Sequence, residues 1–144
     1  MWEEPDLQEI IDTLHDEIRQ IVFAGPPGTG KTWLAKHLAR YLTGDDDDRM
    51  KTIQFHPSYG YEEFIEGIHP MAEDGAISFQ PKKGVVLEIV DNMTDEELPY
   101  VLLIDEMNRA NLPRVLGELM YLFEYRDESV SLQYSPNFIS RDLA

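Results

Sequence analysis

The chain contains no cysteine, which excludes disulfide staples and thiolate metal sites and is compatible with a reducing interior. Basic residues are also scarce: 12 Lys and Arg stand against 28 Asp and Glu, a formal net charge of −16. A surface of that sign repels nucleic acid at long range, so any DNA served by this chain should be held by another domain or subunit. Local basic pairs such as Lys82-Lys83 run against the trend. No apolar stretch approaches a membrane span, and Met1-Trp2-Glu3-Glu4 lacks the basic, apolar start of a secretory signal. The chain therefore reads as soluble and cytoplasmic, with no membrane partner. His15, His37 and His56 belong to no set with zinc-ligand spacing. There is no internal repeat and no low-complexity linker. The 144 residues, 42% of them hydrophobic, suit one domain with a modest core.

Against these absences stands one strong motif. Gly25-Pro26-Pro27-Gly28-Thr29-Gly30-Lys31-Thr32 fits G-x-x-x-x-G-K-[ST] at every fixed position. Before it, Ile21-Val22-Phe23-Ala24 reads as a short buried strand. After it, Leu34, Ala35, Leu38, Ala39 and Leu42 recur at helical spacing until Gly44. Strand, glycine loop and helix together form an anion cradle, because backbone N–H groups and the helix N-terminus converge on phosphate oxygens. Gly25, Pro26, Pro27, Gly28, Thr29, Gly30, Lys31, Thr32 and the adjoining Trp33 are the candidate nucleotide contacts. Lys31 is expected to reach the β- and γ-phosphates, and the Thr32 hydroxyl to ligate Mg²⁺.

A second apolar run, Tyr100-Val101-Leu102-Leu103-Ile104, ends in Asp105-Glu106. Acids at the C-terminal tip of a core strand lie where open α/β sheets bind ligands. Asp105 suits the hold on Mg²⁺ beside Thr32. Glu106 suits a general base acting on water, which points to hydrolysis rather than transfer to a second substrate.

The remaining pattern alternates helices with strands. Leu7, Ile10, Ile11, Leu14 and Ile18 predict a leading amphipathic helix in 1–19, entered by Pro5. Asp45 to Asp48 read as a solvated loop. Thr52-Ile53-Gln54-Phe55 reads as the second strand. Asp74-Gly75 followed by alternating Ala76-Ile77-Ser78-Phe79 predicts a hairpin. Val85, Val86, Ile89, Val90 and Met93 predict a helix. Asn111 is the expected N-cap of another helix, carrying Val115, Leu116, Leu119, Met120 and Phe123. Val130, Leu132 and Tyr134 alternate as a last strand. The fold class is therefore α/β: a three-layer, mostly parallel sheet with helices on both faces and a hairpin-like insertion after the second strand.

The insertion carries a more specific signal. Thr52-Ile53-Gln54-Phe55-His56-Pro57-Ser58-Tyr59-Gly60-Tyr61-Glu62-Glu63-Phe64-Ile65-Glu66-Gly67 resembles the segment after the phosphate loop in McrB-type AAA+ proteins. So does Leu102-Leu103-Ile104-Asp105-Glu106-Met107-Asn108-Arg109-Ala110-Asn111, followed by Val115-Leu116-Gly117-Glu118-Leu119. These are motor subunits of methylcytosine-specific restriction systems, in a branch of P-loop NTPases shared with MoxR-like and dynein-related ATPases. The resemblance runs from about Ile21 to Tyr134. It implies an oligomeric ring, by self-association or with a full-length subunit, binding ATP or GTP at subunit interfaces. Turnover would be coupled to DNA movement or to a partner nuclease. AAA+ modules continue with a sensor strand, an arginine finger and a helical lid, and Ser135 to Ala144 resembles none of these. The expected organisation is a single, incomplete AAA+ domain: a leading helix in 1–19, a core in 20–134 and an atypical tail in 135–144.

Other residues admit two readings. Tyr59, Tyr61 and Phe64 could line a ring pore or pack beneath the insertion. His56 suits a structural hydrogen bond more than a nucleotide contact. Arg109 and Arg114 suit helix or interface salt bridges. Trp33, His37 and Tyr41 share a helix face that core or neighbour packing would explain. Two further functions remain open: a nucleotide-holding assembly module with little turnover, and a MoxR-like ATPase that remodels partner proteins.

Overall fold

Leu7, Ile10, Ile11 and Leu14 are half-buried along one face of helix α1 (Glu4–His15), while Gln8, Glu9 and Asp12 between them are exposed. That is the amphipathic stripe the spacing predicts. The structure is a computed structural model describing residues 4–15, 19–73, 76–93, 98–125, 128–135 and 138–139. Ile18 and the Asp74-Gly75 turn lie outside the described residues. The chain divides into two compact units, 1–35 and 36–144.

In the first unit, Ile21-Val22-Phe23-Ala24 departs from expectation. It pairs with no strand among the described residues, and Val22 is 68% exposed. An apolar run reports only a preference for burial; a strand also requires a regular ladder of backbone hydrogen bonds, which apolarity alone does not specify. Helix α2 (Lys31–Leu42) follows the glycine loop. Leu34, Leu38 and Ala39 are buried, whereas Trp33, His37 and Tyr41 form an exposed stripe rather than core packing.

The second unit is built on two parallel strands, β1 (Met50–Gln54) and β4 (Val101–Asp105), aligned from Met50↔Val101 to Gln54↔Asp105. Alternation along β4 sends Leu102 and Ile104 against one hydrophobic cluster and leaves Leu103 buried on the other face. That cluster joins Phe55, Phe64, Ile65, Val86, Leu87, Val115, Leu119, Leu122 and Leu132. Each fully buried aliphatic or Phe side chain contributes about 1.5–3 kcal/mol, so these residues dominate the unit's stability. Phe55, Tyr59 and Phe64 pack as a ring cluster, with centroids 4.8 Å apart for Phe55–Tyr59 and 5.7 Å for Phe55–Phe64. In this chain Tyr59 and Phe64 therefore serve the core.

A one-turn helix, α3 (Tyr61–Phe64), leads into the expected hairpin of β2 (Glu66–Glu73) and β3 (Ala76–Lys83), paired from Glu66↔Lys83 to Glu73↔Ala76. Its register gathers Ile68, Pro70, Ala72, Ile77, Phe79 and Pro81 on one face. Ile77 and Phe79 are 72% and 70% exposed there. Helix α4 (Val85–Asn92) lies where the sequence places it and buries Val86 and Leu87. The four aspartates Asp45 to Asp48 are exposed, and the Asp46 side chain caps a short turn over Asp47–Arg49.

The helix expected after Asn111 is instead two: α5 (Leu112–Leu116), capped by Asn111, and α6 (Leu119–Glu124). Gly117 separates them at φ 48°, a left-handed backbone that favours glycine. A Cβ there would stand 2.7 Å from Tyr61 Cε2, so the break and the close approach of the ring share one cause.

The last strand is also shorter than its alternation suggests. Only β5 (Ser129–Val130) forms, antiparallel to β6 (Phe138–Ile139). The N–H groups of Gln133, Tyr134 and Ser135 donate instead to side chains, to Tyr61 Oη and to Glu66 Oε1. Consecutive N–H groups committed in one direction are incompatible with a strand, whose hydrogen bonds alternate in direction. No helix among the described residues is long and apolar enough to cross a membrane.

Candidate functional site

The glycine loop is shaped by residues that other side chains could not replace. Gly28 and Gly30 adopt φ 77° and 85°, so the loop turns tightly from Pro27 into the first turn of α2. The Leu34 N–H donates to Gly30 O at 2.9 Å and closes that turn. Thr29 Oγ1 donates to Pro26 O at 3.0 Å across the loop. Lys31 Nζ folds back over it, donating to Gly25 O at 2.9 Å and Pro26 O at 2.6 Å. The ammonium thus sits on carbonyl oxygens of its own loop, where a phosphate could displace weak neutral acceptors and gain a charge-assisted bond. Gly25 to Gly30 are exposed and Lys31 and Thr32 half-buried, so the cradle is open to solvent. Trp33, next in line, is 64% exposed.

The acidic pair has its own geometry. The Phe55 N–H donates to Asp105 O at 2.9 Å, so β1 holds the end of β4. The chain then leaves the strand abruptly, with Glu106 in the left-handed region at φ 54° and ψ 38°. Its N–H donates to Asp105 Oδ1 at 3.0 Å, which ties the first acid to the turn made by the second. A single 3₁₀ turn, Met107–Arg109, follows, and the Arg109 N–H donates to Glu106 O at 2.9 Å. Such a turn eclipses residues i and i+3. Arg109 Nε accordingly lies 3.1 Å from Glu106 Oε2. Arg109 was expected in a salt bridge; its partner is the candidate base itself.

The structure gathers Gly25 to Trp33 into one loop-and-helix cradle and sets Asp105 beside Glu106 at a strand tip. His56 takes its expected structural role, with Nδ1 3.1 Å from Ser58 Oγ. Among the described residues no group of three or more His, Cys, Asp or Glu could hold a metal ion by protein ligands alone.

One polar cluster had no signal in the sequence. Glu66 is 1% exposed; its Oε1 accepts the N–H groups of Tyr134 and Ser135 at 2.7 and 3.0 Å. Tyr61 lies close by, its hydroxyl accepting the Gln133 N–H at 3.3 Å. Burial first, then the Glu118 and Glu66 carboxylates, push the Tyr61 hydroxyl from 10.0 up to about 12, against the opposing Gln133 N–H.

The profile of the AAA domain (dynein-related subfamily) matches residues 20–135. The chain is 42% identical over 125 residues to the type IV methyl-directed restriction enzyme EcoKMcrB subunit of Escherichia coli K12, covering 83% of this chain and 26% of that protein. It is 33% identical over 118 residues to replication factor C small subunit 2 of Pyrobaculum arsenaticum, covering 77% of this chain and 36% of the relative. The chain thus spans about a quarter to a third of the length of these curated relatives. The match includes the glycine loop, both central strands and the hairpin, which fixes the fold as the α/β P-loop class. The chain belongs to the dynein-related subfamily of AAA domains and is a nucleotide-binding AAA+ domain of the McrB type.

Proposed function

We propose that this domain binds Mg²⁺ with ATP or GTP and hydrolyses the nucleotide as the core of a cytoplasmic, McrB-like restriction motor. The observation that carries the reading is the Gly25–Thr32 loop, wound by Gly28 and Gly30 into the start of α2 with the Lys31 ammonium resting on its carbonyls. Lys31 supplies charge to the β- and γ-phosphates, and the N–H groups of the loop and first helical turn bind their oxygens. Thr32 and Asp105 hold Mg²⁺, which when bound neutralises phosphate charge. Glu106 orients the attacking water and accepts its proton. The nucleotide-binding core is 20–134, preceded by the leading helix in 1–19 and followed by a distinct tail in 135–144.

The likeness to a restriction-enzyme subunit favours a ring of like subunits, or assembly with a full-length AAA+ subunit, and a separate nuclease partner. A net charge of −16 favours leaving the DNA to those other components. The same cradle would serve a nucleotide-holding module with little turnover, or a MoxR-like ATPase acting on partner proteins. Equilibrium binding of ATP and GTP with and without EDTA tests the grip and the metal, and phosphate release in the assembled state tests hydrolysis. Binding without release favours the assembly module; no binding of either nucleotide removes the proposal.

A further inference from the structure

Glu106 is held from three sides by its own turn. Its N–H is tied to Asp105 Oδ1, its C=O to the Arg109 N–H, and its Oε2 to Arg109 Nε at 3.1 Å. The backbone is left-handed at φ 54°, a conformation that costs a non-glycine residue roughly 1–2 kcal/mol and is retained where surroundings over-determine it. The side chains of Arg109 and Glu106 are 56% and 38% exposed. An ion pair so open to solvent adds about 0–1 kcal/mol at most, so stability does not account for it. What the pair does control is direction. One carboxylate oxygen is engaged by the guanidinium, while Oε1 has no partner among the described residues.

We infer that Arg109 is a positioning residue for the general base, fixing the Glu106 carboxylate through Oε2 so that Oε1 is presented to the attacking water. The inference rests on the reading of Glu106 as that base. Arg109 takes no proton and touches no reacting atom; it narrows the orientations open to Glu106. A carboxylate displaced by even 1 Å from a productive geometry can lose up to about a hundredfold in rate.

The test is a double-mutant cycle on the full chain in its assembled state, read as single-turnover hydrolysis with protein in excess over labelled ATP or GTP. Affinity for a non-hydrolysable analogue and the thermal midpoint are measured alongside. Arg109→Ala should slow the chemical step by about tenfold or more, with affinity and midpoint unchanged. In a Glu106→Gln background, where hydrolysis is already lost to the residual rate, Arg109→Ala should cause no further loss. Equal losses in both backgrounds, or an unchanged rate for Arg109→Ala, would overturn the inference. A Glu106→Gln chain that hydrolyses at the parent rate would instead remove the base assignment on which it rests. A readout independent of turnover is the Arg109 Nε–H resonance in ¹H–¹⁵N spectra. It should be displaced from free arginine in the parent chain and return in Glu106→Gln. A parent resonance already at the free position would show that the pair does not exist in solution.

Discussion

Glu66 Oε1 accepts the Tyr134 N–H at 2.7 Å across 68 positions of sequence, tying the base of the hairpin to the segment that follows β5. The Ser135 N–H reaches the same oxygen at 3.0 Å. This buried carboxylate replaces the strand pairing that the alternation of Val130, Leu132 and Tyr134 suggested. Glu66→Ala is expected to leave both N–H groups unsatisfied and to cost about 2 kcal/mol or more in denaturant unfolding. Glu66→Gln keeps an accepting oxygen and should cost less. Equal stability of the alanine variant and the parent would show that the tie is dispensable.

Lys31→Ala should weaken nucleotide binding about tenfold or more, equivalent to ~1.4 kcal/mol, without unfolding the domain. Lys31 spends its charge on the exposed carbonyls of Gly25 and Pro26 rather than on core packing. Titration of a fluorescent nucleotide analogue, with circular dichroism as the fold control, reads the difference. Unchanged affinity would count against the loop as the phosphate site.

The two acids should separate by phenotype. Glu106→Gln is expected to bind nucleotide and Mg²⁺ and to lose hydrolysis, since an amide cannot act as the base. Asp105→Asn should weaken the dependence of binding on Mg²⁺, measured across a metal titration. Normal hydrolysis by both variants in a competent assembly would refute the division of roles.

Turnover by the chain alone should be slow. The resemblance implies an arginine finger supplied by a neighbouring subunit, and lack of such a finger costs roughly 10³–10⁵ in rate. Phosphate release is expected near background, rising on assembly with neighbouring AAA+ subunits. Rapid release by the chain alone, abolished in Glu106→Gln, would show that it needs no neighbour.

Alkaline pH should destabilise the second unit through Tyr61. Its hydroxyl is pushed up to about 12 in the fold, against 10.0 when free. A raised value means that the folded state holds the proton more tightly. The stabilisation is complete below pH 10.0 and is lost as pH rises toward about 12. Tyr61→Phe should flatten the fall in thermal midpoint across that window; an identical fall in both proteins would assign it to other groups.

Gly117→Ala should cost roughly 1–3 kcal/mol, because the new methyl both meets the Tyr61 ring and forces a left-handed backbone on alanine. A thermal midpoint unchanged from the parent would mean that the Tyr61 ring yields without cost.

The sequence by itself determined what depends on local spacing. The Gly25–Thr32 loop, the amphipathic faces of α1, α2 and α4, the hairpin, the Asn111 cap and the apolar run ending in Asp105-Glu106 follow from residue type at fixed intervals, because helical, strand and turn geometries impose those intervals on any chain. Tertiary structure decided what depends on partners distant in sequence. Ile21-Val22-Phe23-Ala24 has a strand's composition but belongs to no sheet among the described residues. The expected helix after Asn111 breaks at Gly117, which takes a positive φ of 48° with the Tyr61 ring packed where a Cβ would stand. Gln133 to Ser135 leave the strand pattern because Tyr61 and Glu66, about 70 residues earlier, take their N–H groups. Even the pairing of Arg109 with Glu106, three residues apart, needed the left-handed turn at the tip of β4. A spacing can name the residues able to meet, but only the folded backbone sets the direction in which they point.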